Sequence, residues 1–128
     1  MKKDTLTVET DEHGTIRYYN DEGELHNPHG PAVVYADGDK FYYINGKLHN
    51  SDGPAIVYAN GDKSYYIKGK LHNPDEPAMV CANGYKAYFI NGKELTETKF
   101  KTWQAQQSPP LHNKTATIDG IEYTLTAK

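Results

Sequence analysis

Cysteine is nearly missing from this chain: Cys81 is the single one in 128 residues, so no internal disulfide can staple the fold. Long apolar runs are missing as well. No stretch approaches the ~18 residues that a membrane span requires, and the mean hydropathy of −0.82 points the same way. The N-terminus lacks the charged, then apolar, then small-residue order of a secretory signal. Together these absences give the expectation of a cytoplasmic protein, in the host cytoplasm if the source is viral. There is also no basic run. The 14 Lys and Arg are interspersed with 17 Asp and Glu for a net charge of −3, which argues against nucleic acid and against an anionic membrane surface as partners. Paired carboxylates in a recognisable motif and a glycine-rich phosphate loop are absent too, and a chain of this length forms one domain, residues 1–128, with one modest core.

Against three Phe and one Trp stand eleven Tyr. An amphipathic ring used so often suits strands with one packed and one wet face, because the body can be buried while the hydroxyl reaches water.

The chain repeats itself. Leu25-His26-Asn27, Leu48-His49-Asn50 and Leu71-His72-Asn73 recur at a step of twenty-three residues. Gly30-Pro31-Ala32 returns as Gly53-Pro54-Ala55 and Glu76-Pro77-Ala78, Asp37-Gly38 as Asn60-Gly61 and Asn83-Gly84, and Asn45-Gly46 as Lys68-Gly69 and Asn91-Gly92. A degenerate half-unit comes first, in which the same step aligns Tyr18 and Tyr19 with Phe41 and Tyr42, and Gly23 with Gly46. Within a unit, Ala32 to Ala36 is short, apolar and β-branched, Asp37-Gly38 is a hairpin signal, and Lys40 to Ile44 is aromatic-rich. The expected fold is all-β: tandem β-hairpins forming an antiparallel meander sheet, with one C-terminal helix and a terminal hairpin.

A two-residue Asp37-Gly38 loop would pair Val34 with Phe41 and Val33 with Tyr42. Alternation then places Val33, Tyr35, Tyr42 and Ile44 on a core face and Ala32, Val34, Phe41 and Tyr43 on a second, smaller apolar face. A register slip of one residue, as in a three-residue loop with a bulge, would exchange parts of these sets. The second face needs a cover: a rolled sheet, the C-terminal segment, or a partner protein. If a partner, the contact residues are Phe41, Tyr43, Tyr66 and Phe89.

Beyond the repeats, Thr96 reads as the N-cap of a helix over residues 96–107, with Leu95 placed to staple against Phe100 and Pro109-Pro110 ending it. Phe100 and Trp103 share a helix face, which suits a cap on the repeat array. Residues 114–126 alternate around Asp119-Gly120 as a second type of hairpin, with Ala116, Ile118, Ile121, Tyr123 and Leu125 on one face.

Glycine, a short apolar strand, Asp/Asn-Gly, an aromatic strand, Asn-Gly-Lys and Leu-His, as in Asn45 to Ala55, resemble the MORN repeat over residues 14–95. The likeness is nearest to divergent MORN-like repeats of phage and large-virus proteins and, more loosely, of bacterial antitoxin-like proteins. It implies a β-hairpin repeat fold, in a family that includes membrane-linked scaffolds and protein-binding arrays. Asn27, Asn50 and Asn73 stand where that unit commonly has glycine, and Tyr-Tyr-Ile replaces its acidic-Trp strand, so lipid binding is not carried over.

Catalysis and metal binding have little support. His26, His49 and His72 should form a row, but equivalent side chains two strands apart lie roughly 10 Å from one another, too far to share an ion with ~2.0 Å bonds. A hydrogen bond to the turn backbone before Gly-Pro-Ala is the simpler role. His29 fits an exposed loop tip and Cys81 a buried, inert thiol. An active site needs unlike residues converging once, whereas here like residues recur three times. The expectation is a non-enzyme without cofactor or metal: a protein-binding module of the inhibitor or immunity type that occludes a target. The alternatives are a small-ligand or nucleotide-binding sponge, and a structural repeat protein that self-associates into a homo-oligomer.

Overall fold

Glycines with positive φ punctuate the chain at a regular step, and the strands between them are correspondingly short. The computed structural model describes residues 5–107, 114–118 and 121–125. It begins with β1 (Thr7–Thr10) and β2 (Ile16–Tyr19). The first full unit holds β3 (Val33–Val34), β4 (Lys40–Phe41), β5 (Tyr43–Ile44) and β6 (Lys47–Leu48). The second holds β7 (Ile56–Val57), β8 (Lys63–Ser64), β9 (Tyr66–Ile67) and β10 (Lys70–Leu71). The third holds β11 (Met79–Val80), β12 (Lys86–Ile90) and β13 (Lys93–Leu95), followed by α1 (Glu97–Gln107). Strands β14 (Lys114–Ile118) and β15 (Ile121–Leu125) form a separate antiparallel pair.

The antiparallel hairpin-repeat architecture is as expected from sequence. Nine strands form one sheet in the order β1-β2-β3-β4-β7-β8-β11-β12-β13, while β5-β6 and β9-β10 are outer hairpins. Each unit's second strand is interrupted at Tyr42 or Tyr65, which separates the inner from the outer pair; in the third unit β12 runs through.

The register corrects the face assignment. Val33 opposes Phe41 and Val34 opposes Lys40, not Phe41. The loop is therefore the three residues Ala36, Asp37 and Gly38, closed by Gly38 N donating to Tyr35 O and Tyr35 N donating to Asp39 O, both at 2.9 Å. Only Gly38 is left-handed, at φ 101°, the signature of a type I turn followed by a glycine bulge rather than a two-residue primed turn. The slip exchanges half of each set. Val33, Tyr35, Phe41 and Tyr43 share one face, and Ala32, Val34, Tyr42 and Ile44 the other.

A second correction concerns the half-unit. Arg17 opposes Val33 as Phe41 opposes Ile56, and Tyr19 bridges Leu25 as Tyr43 pairs Leu48. Tyr18 and Tyr19 thus correspond to Tyr42 and Tyr43, one place later than the sequence alignment set them. The turn absorbs the difference: Asp21-Glu22-Gly23 is a three-residue loop where later units have two, so Gly23 still matches Gly46, both at φ 80°.

Two cross-strand rows define the sheet. Arg17, Val33, Phe41, Ile56, Ser64, Met79 and Ala87 oppose one another in turn on one face. On the other, Ile16, Val34, Lys40, Val57, Lys63, Val80 and Lys86 do the same. The exposed lysines alternate with half-buried valines, whose apolar surface their stems can cover. The core lies in the inner strands: Ala32, Ala55 and Ala78 are fully buried, with Val33, Ile56 and Ala87 close behind. The connections between units, Asn27 to Gly30 and Asn50 to Pro54, line one recess together with Tyr42, Ile44, Val57 and Lys63.

The cap of α1 is as read. Thr96 Oγ1 accepts from Lys99 N at 3.2 Å, and Phe100 is buried against Tyr88. For the terminal hairpin the backbone register is the expected one, with Ile118 opposite Ile121 and Ala116 opposite Tyr123; residues 119–120, Pro109-Pro110 and the hairpin's side chains lie outside the described residues. Among the described residues no helix is long and apolar enough to cross a membrane.

Candidate partner-binding surface

The face that begins at Arg17 is aromatic through its first two units. Three-residue turns direct Tyr35 and Tyr58 onto the same side as Phe41, and the rings meet edge to face: Tyr35 to Phe41 at 5.5 Å and 79°, Phe41 to Tyr58 at 5.8 Å and 89°. This geometry sets the positive edge of one ring on the negative face of the next. Beneath them Val33 and Ile56 are buried, while Tyr35 and Tyr58 are each 37% exposed. Tyr43 and Tyr66 stand beyond the break in the strand, half-buried. Burial raises the Tyr43 phenol above its usual range, helped by Tyr35, Tyr66 and Tyr58 nearby; Tyr66 is raised by burial and by Tyr58. By strand alternation the four tyrosines share this face.

The surface fades toward the C-terminus. Ser64, and then Ala87, stand where Phe41 does, and Cys81 where Tyr35 and Tyr58 do. Of the residues expected to contact a partner, Phe41, Tyr43 and Tyr66 lie with this cluster; Phe89 lies on the same face one unit further on, half-buried. Sequence reasoning placed Tyr35 and Tyr58 on the opposite face because the loop length was one residue short. Among the described residues, no hydroxyl of the cluster bonds to protein, whereas Tyr88 donates to Glu97 Oε2 at 2.8 Å.

At the N-terminal edge Asp11 organises the start of this face. Its Oδ1 accepts from His13 N and Thr15 N, and Arg17 Nη1 donates to Oδ2 at 3.0 Å. The Thr15 amide first, and then Arg17, hold the Asp11 carboxyl below its usual range.

The histidines serve the array itself. His26 Nδ1 accepts from Asn45 N at 2.9 Å, His49 Nδ1 from Lys68 N and His72 Nδ1 from Asn91 N at 3.0 Å. Each imidazole reaches forward to the left-handed residue of the next unit's outer turn, not to the backbone before Gly-Pro-Ala. An accepting Nδ1 carries no proton, so the ring proton sits on Nε2. Asn27, Asn50 and Asn73, whose role was not legible in sequence, lock the connections: Asn50 Nδ2 donates to Pro54 O at 2.9 Å and Asn50 Oδ1 accepts from Asp52 N at 3.0 Å. His29 is an exposed loop residue, and Cys81 is half-buried. No group of three or more His, Cys, Asp or Glu among the described residues could hold a metal ion.

Comparison of the chain with protein-family models, with curated proteins and with solved structures found no match.

Proposed function

We propose that the chain is a non-catalytic protein-binding module, of the inhibitor or immunity type, that meets its target with the aromatic face. The observation that carries this reading is the contiguous run Tyr35, Phe41, Tyr58 flanked by Tyr43 and Tyr66: half-exposed rings, of which the four tyrosines carry hydroxyls that find no partner among the described residues. Rigid aromatics with a polar tip are what interfaces use as anchors, because they bury large area at little entropic cost and keep a hydrogen-bonding group at the rim.

The test is capture of a partner from host lysate by the tagged chain beside a Tyr35→Ser/Tyr58→Ser variant whose circular dichroism and melting match the parent. The expected result is a specific protein retained by the parent and lost by the variant. Undiminished capture by the variant would overturn the assignment of the face. A melting temperature raised by a nucleotide, with no protein captured, would replace the reading with the small-ligand one.

A further inference from the structure

The register carries two carboxylates onto the aromatic face. Tyr35 N donates to Asp39 O and Tyr58 N to Asp62 O, both at 2.9 Å, so each inner turn closes on a tyrosine opposed by an aspartate. Asp39 lies two residues before Phe41, and Asp62 two before Ser64, and alternation sends each pair to the same side. The pairing of β4 with β7 and of β8 with β11, continued outward by two residues, sets Asp39 beside Tyr58 and Asp62 beside Cys81. Across the ends of six successive strands the row therefore runs Tyr35, Asp39, Tyr58, Asp62, Cys81 and Tyr85, with Tyr85 exposed.

Both carboxylates are half-buried and held in place. Asp39 Oδ1 accepts from Ala59 N and Asp62 Oδ1 from Ala82 N, both at 2.7 Å. Each keeps a second oxygen, which in Asp62 has only a long contact with Asn60 Nδ2 at 3.4 Å. No cation of the chain pairs with either among the described residues: Lys40, Lys63 and Lys86 stand in the row of the opposite face, and Arg17, on this one, is held by Asp11 at 3.0 Å. A carboxylate next to a tyrosine ring is a seat for a guanidinium, which forks onto the oxygens while its plane lies on the ring.

The spacing selects what carries the guanidinium. Equivalent residues of successive units are two strands, roughly 10 Å, apart. A polyproline II segment has three residues per turn and a rise of about 3.1 Å, so its residues i and i+3 point to one side roughly 9 Å apart. Its carbonyls make no internal hydrogen bonds, and the Tyr35 and Tyr58 hydroxyls have no partner among the described residues. A helix, whose carbonyls are bonded within itself, would leave those hydroxyls unmatched.

We propose that the aromatic face takes a proline-rich segment of the partner in the polyproline II form, with arginines three residues apart. One guanidinium lies against Asp39 between the Tyr35 and Tyr58 rings, the next against Asp62 beside Tyr58, and the phenols donate to the segment's carbonyls. The inference rests on the reading of this face as a protein-binding surface and names the chemistry of its partner.

The probe is a blocked synthetic peptide of four Pro-Pro-Arg triplets, titrated into the isotope-labelled full chain while backbone amide shifts are followed. The expected result is saturable shifts at Tyr35, Asp39, Tyr58 and Asp62, with binding weakened by added salt. Asp39→Asn/Asp62→Asn keeps an Oδ1 acceptor for the Ala59 and Ala82 amides and should weaken binding roughly tenfold, the loss of two partly exposed charge pairs. Pro-Pro-Gln triplets keep the backbone form without the charge and should bind the parent chain at least as weakly, a comparison that needs no variant. No saturation at millimolar peptide, equal affinity for the Pro-Pro-Gln triplets, or equal affinity for a peptide of the same composition with its arginines consecutive would each overturn the assignment. Lysate capture that is lost in Tyr35→Ser/Tyr58→Ser but unchanged in Asp39→Asn/Asp62→Asn would overturn the basic proline-rich ligand and leave the binding face standing.

Discussion

Each unit turns the chain twice, with an Asx-Gly pair at every turn except Lys68-Gly69, and the two turns are built differently. In the inner row, Asp37 keeps an ordinary φ, its Oδ1 accepts from Asp39 N at 3.0 Å, and only Gly38 is left-handed. Asn60 and Asn83 repeat that local bond to Asp62 N and Tyr85 N. In the outer row, Asn45 and Gly46 are both left-handed, at φ 49° and 80°, and the side chain that fixes the turn comes from elsewhere: His26 takes the Asn45 N–H. A local side-chain acceptor favours the type I turn with a bulge, whereas an acceptor from the neighbouring unit holds the primed two-residue turn. The dipeptide alone does not set loop length; the acceptor available to it does.

Breaking the inner turn should be most costly. Gly61 sits at φ 101°, and an added Cβ would meet Ala82 Cβ at 3.5 Å, so Gly61→Ala strains the backbone more than it crowds the neighbour. A loss of about 2 kcal/mol in urea unfolding is expected. Next comes the stacking of inner turns. Asp62 Oδ1 accepts from Ala82 N, as Asp39 Oδ1 does from Ala59 N, both at 2.7 Å. Asp62→Ala removes a charge-assisted bond and should cost about 1.5 kcal/mol.

For the outer row, His49→Ala deprives Lys68 N of its acceptor, and about 1 kcal/mol should be lost by the same measurement. The comparison can also be sharpened by improvement. Lys68 is the outer-turn residue that is neither Asn nor Gly, held at φ 51°; Lys68→Asn should stabilise by about 0.5 kcal/mol, because Asn tolerates the left-handed region better. A rise in the denaturation midpoint checks it.

The smallest effect is on the aromatic face. Tyr43 and Tyr66 have raised phenol values in the fold, so their contribution is fully present below the unfolded tyrosine range near 10 and is lost as pH climbs through the folded values. Melting temperature should therefore hold below that range and fall above it, less steeply in Tyr43→Phe/Tyr66→Phe.

What was legible in sequence follows from local chemistry. The unit, its glycines, the Thr96 cap and the Phe100–Trp103 face each rest on residues within a turn or two of one another. What was not legible depends on residues far apart. Whether Asp37-Gly38 makes a loop of two or three decides on which face Tyr35 and Tyr58 fall, and the extra residue in the Asp21-Glu22-Gly23 loop hides the true partners of Tyr18 and Tyr19. The forward reach of His26 crosses 19 positions, and the seating of Phe100 on Tyr88 joins α1 to a strand of the last unit.

Because His26, His49 and His72 each reach forward and none back, the array has a direction and a built-in end mark: Leu95 cannot accept from a further turn. Any internal unit, however, presents to its predecessor and its successor the same donors and acceptors as its neighbours do. Length is then a free variable. Splicing one more copy of residues 50–72 in register would extend the sheet by roughly 10 Å, turning the chain into a graduated ruler whose reach is set by counting units rather than by redesigning them.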